Sequence, residues 1–403
     1  MQYTEYELGE LLPFEQPTAY IVKSTDYCDA YATPVLTAGK SFILGKTNET
    51  DGIFDQLPVI IFDDFTTATQ FVNFRFKVKS SAMKILHINT DLVIPKYIFY
   101  RLQIIQFDHS THKRYWIQSY SKIKVLIPPL DEQFRIVARI EELFSELDKA
   151  VDTLKTTKEQ LEVYRQAILQ QAFIGNSNYH KRKSSIPKAE FKPVDAKELV
   201  QLASLPQEWK YVYLSDLGNL SRGKSSHRPR NDPKLFENGV YPFFQTGDGK
   251  GAQKDLYNCE KKYNDVGLAQ SKLWTAGTLC ITIAANIAET CFLGVDGCFP
   301  DSIVGFIPND NLVLKEYIRF FIEASKLKLW AYAPATAQKN INLSTLENLI
   351  VPYCGIEEQQ YIVQKIEEID SVCNKLEQTI DIALAQADAM RQSILKQSFE
   401  EKI

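Results

Sequence analysis

The sequence predicts an α+β fold: two mixed, strand-rich domains, each followed by one long helix, with the two helices pairing as a coiled coil. Three observations predict it. Residues 132–173 and 358–399 are a repeat, both copies carry an apolar heptad, and the residues before each copy have a different, strand-like texture. At 403 residues the chain exceeds one ordinary core, so two or three domains are expected.

The first element, residues 1–130, is rich in Tyr, Phe, Thr, Ile and Val. Short apolar runs such as "LPVIIFDD" are separated by Gly, Pro and Asp turns. That punctuation argues for short strands in a mixed domain. Near its end, "HSTHKRYW" (109–116) sets Lys113 and Arg114 beside Tyr115 and Trp116, a mixture suited to phosphates and base edges. His109 and His112 lie three apart, but no cysteine or carboxylate stands at ligand spacing, so they read as solvent-facing side chains.

Residues 131–173 are the first helix. Ile136, Ile140, Leu143, Leu147, Ala150, Leu154, Leu161, Tyr164 and Ile168 follow steps of three and four, interrupted only at Thr157, with no Pro or Gly. A sustained heptad keeps one apolar stripe facing a partner helix. Residues 174–204 form a linker holding Lys181, Arg182 and Lys183 and two prolines, which reads as a solvated connector.

Residues 205–355 repeat the strand-rich texture, as in "TLCITIAAN", and weakly echo the first domain: "TPVLTAG" (33–39) against "YPFFQTG" (241–247). Here "SRGKSSHRPRNDPK" gathers Arg222, Lys224, Arg228, Arg230 and Lys234 against one acid, Asp232. Arg222, Lys224, Arg228 and Arg230, with Ser225, His227, Lys250, Lys339 and Asn340, are the DNA-contact candidates of the second domain, as Lys113, Arg114 and Tyr115 are of the first. Residues 356–403 are the second helix, with Ile362, Ile366, Ile369, Cys373, Leu376, Ile380, Ala383, Ala387, Met390 and Ile394 as its stripe. At a constant offset of 226, 17 of 42 positions in the two copies are identical, including EQ, IV and IEE early and RQ, IL and Phe late.

Charge follows the same division. The formal net charge is −4, yet residues 131–173 hold nine acids against six bases and residues 356–403 ten against five, leaving the rest at +4. A polyanion is therefore expected at the domains and not at the helices.

The most tempting catalytic signature is "GNLSRGKS" (218–225), which fits a nucleotide-binding P-loop. A working P-loop needs a helix starting at the Lys-Ser, whose N-terminus holds the phosphates. Pro229 and Pro233 exclude that helix, and no Walker B strand follows. "TGDGKGA" (246–252) likewise opens no helix. There is no NPPY or DPPY methyltransferase motif, no GxSxG elbow and no HExxH. No metal site is expected. Seven scattered cysteines without a CxxC pair read as reduced thiols of a cytoplasmic protein. No signal peptide and no apolar run of membrane-spanning length is visible.

"LIPPLDEQFRIVARIEELFSELD" and "YRQAILQQAF" closely resemble the conserved regions of type I restriction–modification specificity subunits. "LPQEWKYVYLSDLGNLSRGKS" (205–225) resembles the lead-in to their target recognition domains, and "TAQKNINLSTLENLIVP" (336–352) the exit; the first domain lacks the LPxxW lead-in. The resemblance spans essentially the whole chain. It implies two target recognition domains, 1–130 and 205–355, each reading one half of an asymmetric split DNA site. The two helices would form an antiparallel intramolecular coiled coil that sets the gap between half-sites. It also implies a chain without a catalytic centre, on which two methylation subunits and the restriction subunits assemble. S-adenosylmethionine, ATP and Mg2+ would belong to those partners.

Spacing alone leaves a parallel helix pair open, because a 31-residue linker can span the ~60 Å return at ~3.3 Å per residue. Two other functions stand beside the leading one: a coiled-coil scaffold that does not bind DNA, and a P-loop NTPase through Gly218–Ser225.

Overall fold

A computed structural model describes residues 3–37, 41–109, 114–174, 186, 189–248, 255–284, 286–331 and 340–400. Contacts divide the chain into two units, residues 1–156 with 380–403, and residues 157–379.

In the first unit, strand Val59–Asp63 is buried along its whole length, as an apolar run with few polar side chains requires. It pairs antiparallel with Thr69–Val72 on one side and Met83–Leu86 on the other, and Phe14–Glu15 extends the sheet beyond Met83–Leu86. A second sheet sets Thr33–Leu36 between Ile43–Thr47, antiparallel, and Lys77–Val78, parallel. The ribbon Thr4–Glu7 with Lys124–Ile127 brings the start of the domain to its end, directly before the helix Leu130–Phe173.

The second unit has a five-stranded sheet in the order Gly218–Arg222, Ile303–Pro308, Leu279–Thr282, Thr290–Leu293, Asp255–Leu256, antiparallel except at the last pair. A hairpin pairs Tyr241–Phe243 with Lys261–Tyr263. Again a ribbon, Lys210–Tyr213 with Ile350–Tyr353, closes the domain immediately before a long helix, Ile356–Glu400.

The repeat extends beyond the helices. "NTDLVIPKYI" (89–98) and "NDNLVLKEYI" (309–318) share five positions and the same backbone hydrogen bond. The Val93 N–H donates to the Asn89 carbonyl at 3.0 Å, and that of Val313 to Asn309 at 3.0 Å. Each segment opens a helix, Pro95–Leu102 and Lys315–Ala324. Onto each is fixed a fully buried glutamine of its unit's long helix. Gln133 Oε1 accepts from the Ile94 N–H at 2.8 Å, while Nε2 donates to the carbonyls of Leu92 at 3.0 Å and Pro128 at 2.9 Å. Gln359 does the same with Leu314 N–H at 2.9 Å and the carbonyls of Leu312 at 3.0 Å and Cys354 at 2.8 Å.

Side-chain pairs fix the helix direction in the second unit. In the second unit, Lys158 meets Glu377 at 3.5 Å, whereas Arg165 reaches back to Asp370 and, at 2.9 Å, to Asn374. Numbers rise along one helix as they fall along the other, so the pair is antiparallel. The first unit repeats the pattern: Arg391 pairs with Asp148 and stacks over the Phe144 ring at 5.1 Å. With the offset of 226, Arg165 corresponds to Arg391 and Asn374 to Asp148, so the two contacts are copies of one another.

Ile136, Ile140, Ile168, Ile362, Ile366, Ile380 and Ile394 are buried, and Leu143, Leu147, Leu154, Leu161 and Ile369 are half-buried. Leu376 and Met390 depart from the expected stripe, at 50% and 52% exposed. Buried positions recur seven apart at Ile366, Cys373, Ile380, Ala387 and Ile394, but the alternate position shifts to half-buried Glu377, Leu384 and Arg391. The seven-residue repeat is kept, and the partner helix covers the side of the stripe that carries Glu377, Leu384 and Arg391, which leaves Leu376 and Met390 facing outward.

Candidate nucleic-acid interface

The basic segment of the second unit starts in a strand. Gly218–Arg222 is an edge of the five-stranded sheet, and its glycine matches a requirement of packing: a Cβ on Gly218 would stand 2.4 Å from the Ile307 carbonyl oxygen. A Cβ on Gly223 would stand 2.3 Å from the carbonyl oxygens of both Phe299 and Pro300. The Gly223 and Lys224 N–H groups donate to Ile303 and Phe299 carbonyls at 2.9 and 3.0 Å. The N–H groups that a phosphate loop would direct at its ligand are thus committed to the sheet. No helix follows; the next turn, Pro233–Leu235, is capped by Asp232. The P-loop match is a strand edge and its exit.

Beyond the strand the segment is held from two sides. On one side, residues 270–274 dock against it: Gln270 Oε1 accepts from the His227 N–H at 2.9 Å, and the Ser271 hydroxyl donates to the Lys224 carbonyl at 2.7 Å. Exposed Lys272 donates to Ser221 Oγ at 2.8 Å and lies 3.6 Å over the centre of the Trp274 ring. On the other, Asp301 meets two arginines. Its carbonyl accepts from Arg222 Nε at 2.9 Å, and its carboxylate accepts from Arg230 Nη2 at 2.8 and 3.0 Å. Arg228 curls onto its own loop, donating to the Ser225 and His227 carbonyls at 2.8 Å each. The His227 ring lies 2.9 Å from Asp232, whose carboxyl is held below its ordinary range by the Lys234 N–H first and by that ring second.

Arg222, Lys224, Arg228 and Arg230 are therefore exposed on one segment, with His227 half-buried. Ser225 is a correction. It is buried, 3.4 Å from the Tyr263 hydroxyl, and packs the segment down rather than facing a ligand. Asn340 is exposed and bridges to Ala284, away from that segment in sequence. Lys250 and Lys339 lie outside the described residues.

In the first unit, Arg114 is exposed at the start of the short helix Tyr115–Gln118. Tyr115 is the second correction: it is buried, with its hydroxyl donating to the His109 carbonyl at 2.9 Å. Trp116 is buried too, its N–H donating to Asp64 Oδ1 at 2.9 Å and its ring edge-on to Phe62. Those aromatics anchor the segment to the core, and Asp64 in turn is paired with buried Lys84 at 3.3 Å. Lys113, His112 and the linker's Lys181, Arg182 and Lys183 lie outside the described residues. His109 has its Nε2 2.9 Å from Thr67 Oγ1.

Sequence reading missed Lys272 and Asp301. "SKLW" (271–274) carries the same hydroxyl, base and aromatic mixture that singled out residues 109–116, so Lys272 had a usable signal. Asp301 had none, because its two partners lie 79 and 71 residues away. Among the described residues no group of three metal-ligating side chains occurs, and no helix is long and apolar enough to cross a membrane.

Comparison with known proteins agrees with this architecture. Residues 206–386 match the family model of the type I restriction modification DNA specificity domain. The chain is 31% identical over 384 residues to the specificity subunit of the type I restriction enzyme EcoR124I/EcoR124II of Escherichia coli, covering 92% of this chain and 87% of that protein. It is 22% identical over 367 residues to the MjaVIII specificity subunit of Methanocaldococcus jannaschii, covering 86% and 80%. In fold it is similar to a chain of a solved type I R-M system, with a TM-score of 0.67, 17% identity and coverage of 100% and 98%. It is also similar to the HsdS subunit of Thermoanaerobacter tengcongensis, with a TM-score of 0.54, 17% identity and coverage of 100% and 97%.

Proposed function

The chain belongs to the type I restriction–modification specificity subunits, and from that membership we propose that it selects the DNA sequence on which a modification and restriction complex acts. Each recognition domain, 1–130 and 205–355, reads one half of a bipartite target. The observation that carries this is the duplicated plan: two domains of different surface chemistry, each tied by the same buried glutamine to its own long helix. A bipartite duplex target offers one half-site to each reader, and unlike readers imply an asymmetric site.

In this reading the chain itself performs no catalysis. Two methylation subunits and the restriction subunits assemble on it, and S-adenosylmethionine, ATP and Mg2+ serve those partners. The chain works in the cytoplasm and uses no membrane. Arg222, Lys224, His227, Arg228 and Arg230 in the second domain and Arg114 in the first are its DNA-facing candidates. Their chemistry supports the assignment: guanidinium and ammonium groups serve phosphates and guanine edges.

Adenine-methylation mapping tests the function. Cells carrying the partner methylation subunit, with and without this gene, should differ by one bipartite, asymmetric motif. Identical maps would defeat the proposal and favour a scaffold without DNA contact.

A further inference from the structure

We propose that Asp301 is a positioning residue for DNA readout by the second domain, holding Arg230 and Arg222 at a fixed spacing and orientation; this rests on the DNA-reading function proposed above. Asp301 follows Pro300, at the start of the turn into strand Ile303–Pro308, whose neighbour in the sheet is the strand that ends at Arg222. Its backbone is thus placed by the sheet and not by a wandering loop.

From that place it holds the two guanidinium groups differently. Arg222 gives only Nε to the Asp301 carbonyl, so its two Nη groups, the fork that meets a phosphate or a guanine edge, are not engaged among the described residues. Arg230 gives Nη2 to both carboxylate oxygens and keeps Nη1 and Nε. Both partners are near half exposed, 48% for Arg230 and 44% for Asp301, so the pair faces water where a duplex could approach. An exposed pair of this kind adds little to folding. A carboxylate also repels DNA, so an acid in the middle of a basic segment weakens sequence-independent attraction. What it supplies is order: an arginine already held in one rotamer loses less freedom when it meets a base edge, and a misplaced base finds it unable to adjust. Asp301 thereby exchanges general affinity for discrimination.

The test compares the full chain, assembled with its methylation subunits, as wild type, Asp301→Asn, Asp301→Ala and Arg230→Ala. Two readouts are taken: the methylated motif in cells, and retention on a duplex carrying that motif against poly(dI-dC) across a salt series. The expected result for both Asp301 variants is relaxed methylation at positions in one half of the motif only, with the other half unchanged. The ratio of specific to non-specific binding should fall about tenfold, while binding to poly(dI-dC) is retained or strengthened. Asp301→Asn preserves shape, so it serves if Asp301→Ala fails to fold. A changed motif in Arg230→Ala with an unchanged one in both Asp301 variants overturns the positioning role alone. Unchanged motif and binding in all three variants overturn it together with the placement of this segment on DNA.

Discussion

Gln133 and Gln359, at the same place in the two copies of the repeat, make the same three hydrogen bonds to the same kind of turn. Each satisfies one buried N–H and two carbonyls at the junction of helix, ribbon and the Asn-x-x-Leu-Val turn. A side chain with both donors and an acceptor is needed there, which is why the identity survives in two otherwise divergent halves.

Gln359→Leu should therefore destabilise the second unit by about 2–4 kcal/mol, because a buried donor left unsatisfied costs its full desolvation. Gln133→Leu should do the same in the first unit. Urea unfolding of each variant measures both. A loss under about 0.5 kcal/mol would mean that water replaces the amide.

Gly223→Ala should be disruptive although its backbone φ is not one that requires glycine. The added methyl meets two carbonyl oxygens that belong to the turn before strand Ile303–Pro308, and backbone cannot yield as a side chain would. A loss of about 1–3 kcal/mol is expected from overpacking. Lys224→Ala, by contrast, should leave stability unchanged, and ATP cross-linking should be absent before and after the substitution. Labelling of wild type that Lys224→Ala abolishes would restore the nucleotide-binding reading.

What could be read from the sequence follows the range of the interaction. The heptads and the repeat were legible because helix packing writes itself into residues three and four apart. The P-loop could be dismissed from Pro229 and Pro233 alone, for an equally local reason. Burial of Tyr115 and Ser225 is not legible, since the Asp64 carbonyl, which accepts from the Tyr115 N–H at 3.0 Å, and the Tyr263 hydroxyl beside Ser225 lie 51 and 38 positions away. Leu376 and Met390 were misplaced for a subtler reason: spacing gives the stripe, but only the partner helix decides which edge of it is covered. The echo of residues 89–98 in 309–318 lies at an offset of 220, so a comparison at the offset of the helices does not reveal it.

Alkaline pH should weaken the fold through its buried phenols. Burial pushes Tyr120 up to about 12, and burial, followed by the nearby Cys354, pushes Tyr353 up to about 12. An unfolded tyrosine titrates near 10, so the neutral form is favoured by folding. That contribution is complete below pH ~10 and is lost as pH rises through about 12. The Tyr353 hydroxyl has no hydrogen-bond partner among the described residues. Tyr353→Phe should thus cost under about 1 kcal/mol at neutral pH and reduce the alkaline loss. Unfolding at pH 8 and 11, with absorbance at 295 nm to follow phenolate, checks the sign.

The shifted helix seam makes a last pair of substitutions diagnostic. Met390 and Leu376 fit the apolar stripe by spacing, yet half their surface faces solvent, so Met390→Lys and Leu376→Lys should change stability by no more than about 0.5 kcal/mol. Ile366 is buried at 3% exposure in the second unit, and Ile366→Ala should cost about 2–5 kcal/mol through lost burial and the cavity left behind. Between these lies Arg165, whose partners Asp370 and Glu377 are partly solvated. A double-mutant cycle of Arg165→Ala with Asp370→Ala should return a coupling below about 1 kcal/mol. Urea unfolding of the full chain orders the set. If Met390→Lys proved as costly as Ile366→Ala, the seam would run where spacing alone places it, and Glu377, Leu384 and Arg391 would lose their part in it.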